Sequence, residues 1–111
     1  MTTTTEKKVK HLTTRQKQYL KGLAHPLPQL VQIGKEGLNN GLIETTKREL
    51  LNHELIKIKI ASNSGLEKRD TAESLAKMTD STLVQLIGKT IVLYKENPKR
   101  PKEKKILLPK N

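Results

Sequence analysis

The stretch Leu55-Ile56-Lys57-Ile58-Lys59-Ile60 restricts the fold of this chain more than any other. It alternates strictly, so Ile56, Ile58 and Ile60 share one face of a strand and Lys57 and Lys59 the other. Such a strand is half-buried, with a basic outer side. A second apolar run, Leu30-Val31-Gln32-Ile33, lies upstream with Val31 and Ile33 on one face. Between the two strands come Gly34-Lys35-Glu36-Gly37-Leu38 and a segment with Leu42, Ile43, Thr46 and Leu50 at helical spacing. Asn39 or Asn40 can cap that helix by accepting from a first-turn N–H, and the helix ends near Asn52-His53. Strand, helix and strand in this order make a right-handed crossover with parallel strands.

The glycine-bracketed loop is the candidate site. Two glycines admit backbone dihedrals closed to other residues and let the chain approach a ligand closely. Lys35 at the tip is a cation, and the helix start behind it offers N–H donors and a partial positive charge. This arrangement suits a phosphate backbone. A G-x-x-G string also occurs by chance in plain turns, so the rest of the chain has to support the inference.

Thr13, with Gln16 three residues later, forms a capping box that starts an N-terminal helix. Tyr19, Leu20, Leu23 and Ala24 fall on one face of it, Lys17 and Lys21 lie one turn apart on another, and His25-Pro26 ends it. After residue 60, a loop around Ser62-Asn63-Ser64-Gly65 leads to Asp70-Thr71-Ala72-Glu73. This second capping box opens a short helix with Ala72, Leu75, Ala76 and Thr79 inward. Two apolar runs, 83–87 and 90–94, are strands joined by Gly88-Lys89, a two-residue hairpin link. Being apolar on both sides, they are expected to be central or covered. The order α-β-α-β-α-β-β predicts a single-domain α/β sandwich with a four-stranded mixed sheet. Residues 1–11 read as a disordered tail, 12–96 as the domain, and 97–111 as a mobile basic tail in which Ile106-Leu107-Leu108 could dock.

Composition then narrows function. At 111 residues the chain makes one domain that buries roughly two-thirds of its unfolded surface. No stretch approaches the ~20 apolar residues of a membrane span, and the N-terminus lacks the apolar centre of a signal peptide. Without cysteine there is no disulfide, thiol nucleophile or cysteine metal site. A cytoplasmic protein with no membrane association is the expectation. The formal charge is +11, from 22 Lys+Arg against 11 Asp+Glu, and both ends of the chain are basic. That distribution fits a polyanion binder, nucleic acid above all.

The aromatic residues are only Tyr19 and Tyr94, too few for a sheet that stacks bases, so contact should run through phosphates and sugar hydroxyls. Gly88-Lys89-Thr90 resembles the end of a P-loop but lacks the earlier glycine and precedes a strand. His11, His25 and His53 stand apart with no metal-ligand spacing, no serine sits in a nucleophile elbow, and the acids, including Glu54, fall on expected exposed positions. No catalytic constellation, metal or cofactor is expected. No helix concentrates the residues that read the major groove of duplex DNA.

The set Leu12-Thr13, Gln16, Tyr19-Leu20, Leu23-Ala24-His25, Ile33-Gly34-Lys35, Gly37-Leu38, the run His53 to Lys59, Gln85-Leu86-Ile87-Gly88-Lys89 and Val92-Leu93-Tyr94 resembles the CRM domain, in particular its stand-alone bacterial YhbY-type members. The resemblance implies a fold related to the C-terminal domain of translation initiation factor three, with a G-x-x-G loop analogous to that of KH domains. It also implies association with precursors of the large ribosomal subunit; plant relatives act in intron splicing. On this chain the RNA-binding set is Gly34, Lys35, Glu36, Gly37 and Leu38, with Lys17, Lys21, Lys57, Lys59 and Lys89 supplying charge. The expected partner is ribosomal RNA of the large-subunit precursor, bound by a monomer without catalysis. A general RNA chaperone, a splicing-type RNA binder and a basic module for an acidic protein are the alternatives.

Overall fold

The computed structural model describes residues 12–110, and the tail expected over 1–11 lies outside them. Helix α1 spans Thr14–Ala24 and starts on the expected capping box, with Gln16 N–H donating to Thr13 Oγ1 (3.1 Å) and Thr13 N–H to Gln16 Oε1 (3.0 Å). Strand β1 is Gln29–Ile33, helix α2 Asn40–His53 and strand β2 Leu55–Ile60. Helix α3 is Lys68–Met78, followed by the hairpin of β3 (Thr82–Ile87) and β4 (Thr90–Tyr94). A short 3-10 turn, Lys102–Lys104, lies near the C-terminus. Asn39 caps α2 by accepting from Leu42 N–H at 2.8 Å.

Helix α3 begins earlier than the Asp70 capping box suggested. Glu67 is the cap, its Oε1 accepting from Asp70 N–H at 2.7 Å. Backbone donors from Asp70 and Arg69 hold this exposed carboxyl below its ordinary range. A longer side chain one turn upstream reaches the same orphan amide that Asp70 was expected to leave for its own box.

The sheet has the order β1-β2-β4-β3. Strands β1 and β2 are parallel, as the crossover requires, and the other two pairings are antiparallel. Only β4 is central. The expectation that both hairpin strands are central or covered fails for β3, an edge strand that leaves Ile87 59% exposed.

Both faces of the sheet carry packed elements, the second only in part. On one, Val31, Ile33, Ile56, Ile58, Ile60, Ile91 and Leu93 pack under α2 and α3. On the other, Leu55, Val84, Val92 and Tyr94 pack with Leu20 and Ala24 of α1. The C-terminal segment joins that second face, with Ile106 and Leu108 against this cluster and Pro109 C=O accepting from Gln16 Nε2 at 2.9 Å. The segment 97–110 is therefore held on the domain by the docking the sequence allowed for Ile106-Leu107-Leu108, and is not the mobile tail it otherwise suggested. The docking of Ile106 and Leu108 supplies the physical reason.

A single carboxylate organises that docking. Glu54, expected to be exposed, is fully buried. It sits just past α2 with a φ of 66°, and its N–H donates to Leu50 C=O at 2.8 Å. Its Oε2 accepts from Asn97 N–H (2.7 Å), and its Oε1 accepts from Ile106 N–H (2.9 Å) and Arg100 Nη1 (3.1 Å). A buried charge is stable only when its lone pairs are so occupied. Burial, with Glu54 and then Glu96 nearby, pushes the Tyr94 hydroxyl up to about 12.

Candidate nucleic-acid interface

At the end of β1 the chain makes a four-residue turn closed by Gly37 N–H donating to Gly34 C=O at 3.0 Å. Lys35 and Glu36 occupy the tip. Only Gly37 requires glycine for conformation, with a φ of +68°; a Cβ there would merely touch Leu66 at 3.8 Å. Gly34 has no left-handed dihedral, and nothing lies within 4 Å of where its Cβ would be. The expectation that both glycines serve the loop's dihedrals thus holds for Gly37 alone. What Gly34 leaves is an open backbone surface.

The Glu36 carboxylate is drawn back toward the helix, accepting from Asn39 Nδ2 at 3.2 Å. Leu38 differs from the rest of the loop set, since its side chain is half-buried against the main core and anchors the loop from below. The first amides of α2 follow directly. Leu42 N–H is taken by Asn39, whereas the amides of Asn40 and Gly41 belong to the helix-start donors that point out of the first turn. A cleft of about 790 Å³ opens here, lined by the loop from Gly34 to Gly37 together with Gln32, Gly41, Thr45 and Asn63. Glycine backbone, helix N-terminus and amide side chains thus face one volume. An anion is the natural occupant of such a cleft.

The lysines fall into two groups. Lys35, Lys59 and Lys89 are exposed, and Lys89 Nζ reaches Ser62 C=O (3.4 Å), next to Asn63 of the cleft. Lys21 and Lys57 meet elsewhere, in a hollow of about 230 Å³ between the end of α1 and the sheet, where Lys57 Nζ donates to His25 C=O at 3.1 Å. Lys17 lies one turn back on α1 and lines neither space.

Sequence reading missed the polar partners in these hollows: Gln29, Gln32, Asn63, Gln85 and Thr90. The alternation of β1 placed Gln32 opposite Val31 and Ile33, and so could have found it. Gln85 follows a register shift in β3 that no local pattern announces. Among the described residues no cluster of three or more His, Cys, Asp or Glu side chains could hold a metal, and no helix is long and apolar enough to cross a membrane.

The fold and loop define a class: α/β domains that present a glycine turn at the mouth of a helix beside a half-open mixed sheet. Residues 12–95 match the CRS1/YhbY (CRM) domain, and the chain belongs to that family. It is 45% identical to Probable RNA-binding protein YqeI of Bacillus subtilis, over 78% of this chain and 90% of that protein. It is 39% identical to an RNA-binding protein of Haemophilus influenzae, over 89% and 96% of the two chains. The solution structure of Staphylococcus aureus SAV1595 superposes with a TM-score of 0.73 at 44% identity, covering 89% of this chain and all of the other.

Proposed function

We propose that this chain is a non-catalytic, cytoplasmic RNA-binding protein that holds RNA by its phosphate backbone at the glycine loop. Its target in this reading is ribosomal RNA of large-subunit precursors, and its role is to assist their assembly. The observation that carries the proposal is the convergence on one cleft of the Gly34–Gly37 backbone and the start of α2, with Lys35 at the tip. Relatives named as RNA-binding proteins support the choice of RNA, and the resemblance to YhbY-type proteins supports the choice of large-subunit precursors.

In this mechanism a phosphate approaches the backbone at Gly34, where no side chain intervenes, and meets the donors of the helix start. Glu36 lines the same cleft, with its carboxylate accepting from Asn39 Nδ2. Lys35, Lys59 and Lys89 supply charge around the cleft, and Lys17, Lys21 and Lys57 extend the basic surface along α1 and the sheet. These contacts position RNA without reading bases.

Crosslinking in cells, followed by sequencing of the bound RNA, tests the proposal against a Gly34→Asp/Gly37→Asp variant. The expected outcome is crosslinks concentrated on large-subunit ribosomal RNA precursors and lost in the variant. Crosslinks spread over messages or introns would retain the loop and move the role to a general chaperone or splicing factor. Unchanged crosslinks in the variant would remove the loop from the mechanism.

A further inference from the structure

Helix α1 and the C-terminal segment cover only part of their face of the sheet. The register divides that face into three rows. The first, Leu55–Tyr94–Thr82, includes the buried Leu55 and Tyr94 of the core. The second runs Gln29–Lys57–Val92–Gln85, and the third Gln32–Lys59–Thr90–Ile87. Of these eight side chains only Val92 is buried. The two rows hold three glutamines, one threonine and two lysines, with Lys21 alongside. They contain no acid and no aromatic, and Ile87 is their single exposed apolar residue.

We propose that this open face docks the minor groove of an A-form RNA helix. The inference rests on the RNA-binding reading above and deepens it by naming the form of RNA. Five lines of chemistry favour it. A glutamine amide both donates and accepts, matching the ribose 2′-hydroxyl, which does the same. The minor groove of A-form RNA is wide and shallow and lined with those hydroxyls, and a four-stranded face about 14 Å across can lie against it. Lysines in and beside the rows, with no carboxylate among them, complement the flanking phosphates. Single strands on a sheet are held by stacking on aromatics, and the two open rows have none. A protein partner would need an apolar centre, which one isoleucine does not make.

Gln32 links the face to the loop, since it lines the cleft and precedes Gly34 by two residues. A helix lying on the rows would therefore pass one of its strands into the glycine cleft at its end. The ligand is then a junction, with paired RNA on the sheet and an unpaired strand at the loop.

The test measures binding by fluorescence anisotropy to four probes of one sequence. They are an RNA duplex of about 16 base pairs, a length that minor-groove RNA binders span, its DNA counterpart, the unpaired RNA strand, and the duplex with an unpaired extension. The full chain is expected to favour RNA over DNA duplex by about tenfold or more, the effect of a few lost hydrogen bonds, and to bind the extended duplex best. A Gln29→Glu/Gln85→Glu variant keeps side-chain volume. It is expected to lose the RNA-over-DNA preference while holding the unpaired strand as before, and Gln29→Ala/Gln85→Ala repeats the test without added charge.

Equal affinity for the RNA and DNA duplexes would overturn the proposal, as would an undiminished RNA preference in folded forms of both variants. A loss confined to the unpaired strand would give the face to single-stranded RNA instead. Binding of the unpaired strand without the duplex would sink this inference alone, whereas a chain that binds no RNA probe would sink the RNA reading with it.

Discussion

The two ends of α2 handle charge in opposite ways. At its start the helix meets solvent through the glycine turn, with exposed Lys35 at the tip and Glu36 held only by Asn39. Past its end lies Glu54, fully buried, with partners drawn from residues 43 to 52 positions away in sequence. The open end keeps its donors available, and the closed end has already consumed its acceptor. The same helix thus separates a place built to receive an outside anion from one that uses an internal anion to fasten the chain's own tail. A polar group is informative about ligands where its partners are missing and about architecture where they are complete.

The largest expected effect is at the closed end. Glu54→Ala leaves the N–H groups of Asn97 and Ile106 without their acceptor and the half-buried Arg100 guanidinium with only His53 C=O. Breaking a buried pair from one side costs about 3–5 kcal/mol, and at about 5 °C per kcal/mol for a domain of this size the melting midpoint falls by roughly 15–25 °C. Limited proteolysis is expected to cut first within residues 97–110. A variant that melts like the wild type would mean the tail holds without the carboxylate and would dissolve the contrast.

Next in size is the open end. Gly34→Asp/Gly37→Asp puts two side chains and two negative charges at the turn, and RNA affinity is expected to fall by about a hundredfold or more. Unfolding stays cooperative, since neither Cβ meets anything closer than 3.8 Å, with a midpoint lowered by the strain of a side chain at the Gly37 φ of +68°. In the wild type, if the loop clamps about four nucleotides, the logarithm of affinity should fall against that of salt with a slope near −3, at about 0.7 per phosphate. A flat salt response would exclude backbone clamping.

Tyr94 gives the closed end a pH signature. Its hydroxyl is pushed up to about 12 by burial and by the carboxylates of Glu54 and Glu96, while in the unfolded chain it titrates near 10. A raised folded value means the contribution is complete below about pH 10 and is lost as the pH climbs toward 12, because the unfolded state ionises first. Thermal melts across that window are expected to show a falling midpoint that Tyr94→Phe flattens. A slope that survives in Tyr94→Phe would assign the alkaline loss to the lysines.

Much of the fold was legible because its cues are local. The alternation in β2, the Thr13–Gln16 box and the Asn39 cap each depend on residues within a turn or a strand of each other, and all three stand in the structure. Glu54 was not legible. A glutamate between a helix and a strand has every local reason to be exposed, and its burial depends on contacts made only after the whole chain has folded. For the C-terminal segment the sequence offered both mobility and docking through Ile106-Leu107-Leu108, and it is the contacts of Ile106 and Leu108 in the folded chain that decide for docking. At the loop, sequence marked the glycines but could not tell them apart, because φ at Gly37 is set by how the turn joins α2. The open rows were hidden by the register shifts in β1 and β3.

That difference between the glycines sets the smallest and most discriminating prediction. Gly37→Ala forces an L-residue to a φ of +68°, at a cost of roughly 1–2 kcal/mol, and is expected to lower the melting midpoint by about 5–10 °C. Gly34→Ala meets no neighbour and no dihedral penalty, so stability should stay within about 0.5 kcal/mol. Its methyl group nevertheless stands where a phosphate must come against the backbone. RNA affinity is therefore expected to drop about three- to tenfold in Gly34→Ala at unchanged stability. If Gly34→Ala binds RNA normally, close approach at that residue is not part of the mechanism, and the clamp reduces to Lys35 and the α2 start. If it instead unfolds the domain, the glycine turn is a structural joint at both of its ends, and the open end of α2 is no more a ligand site than the closed one.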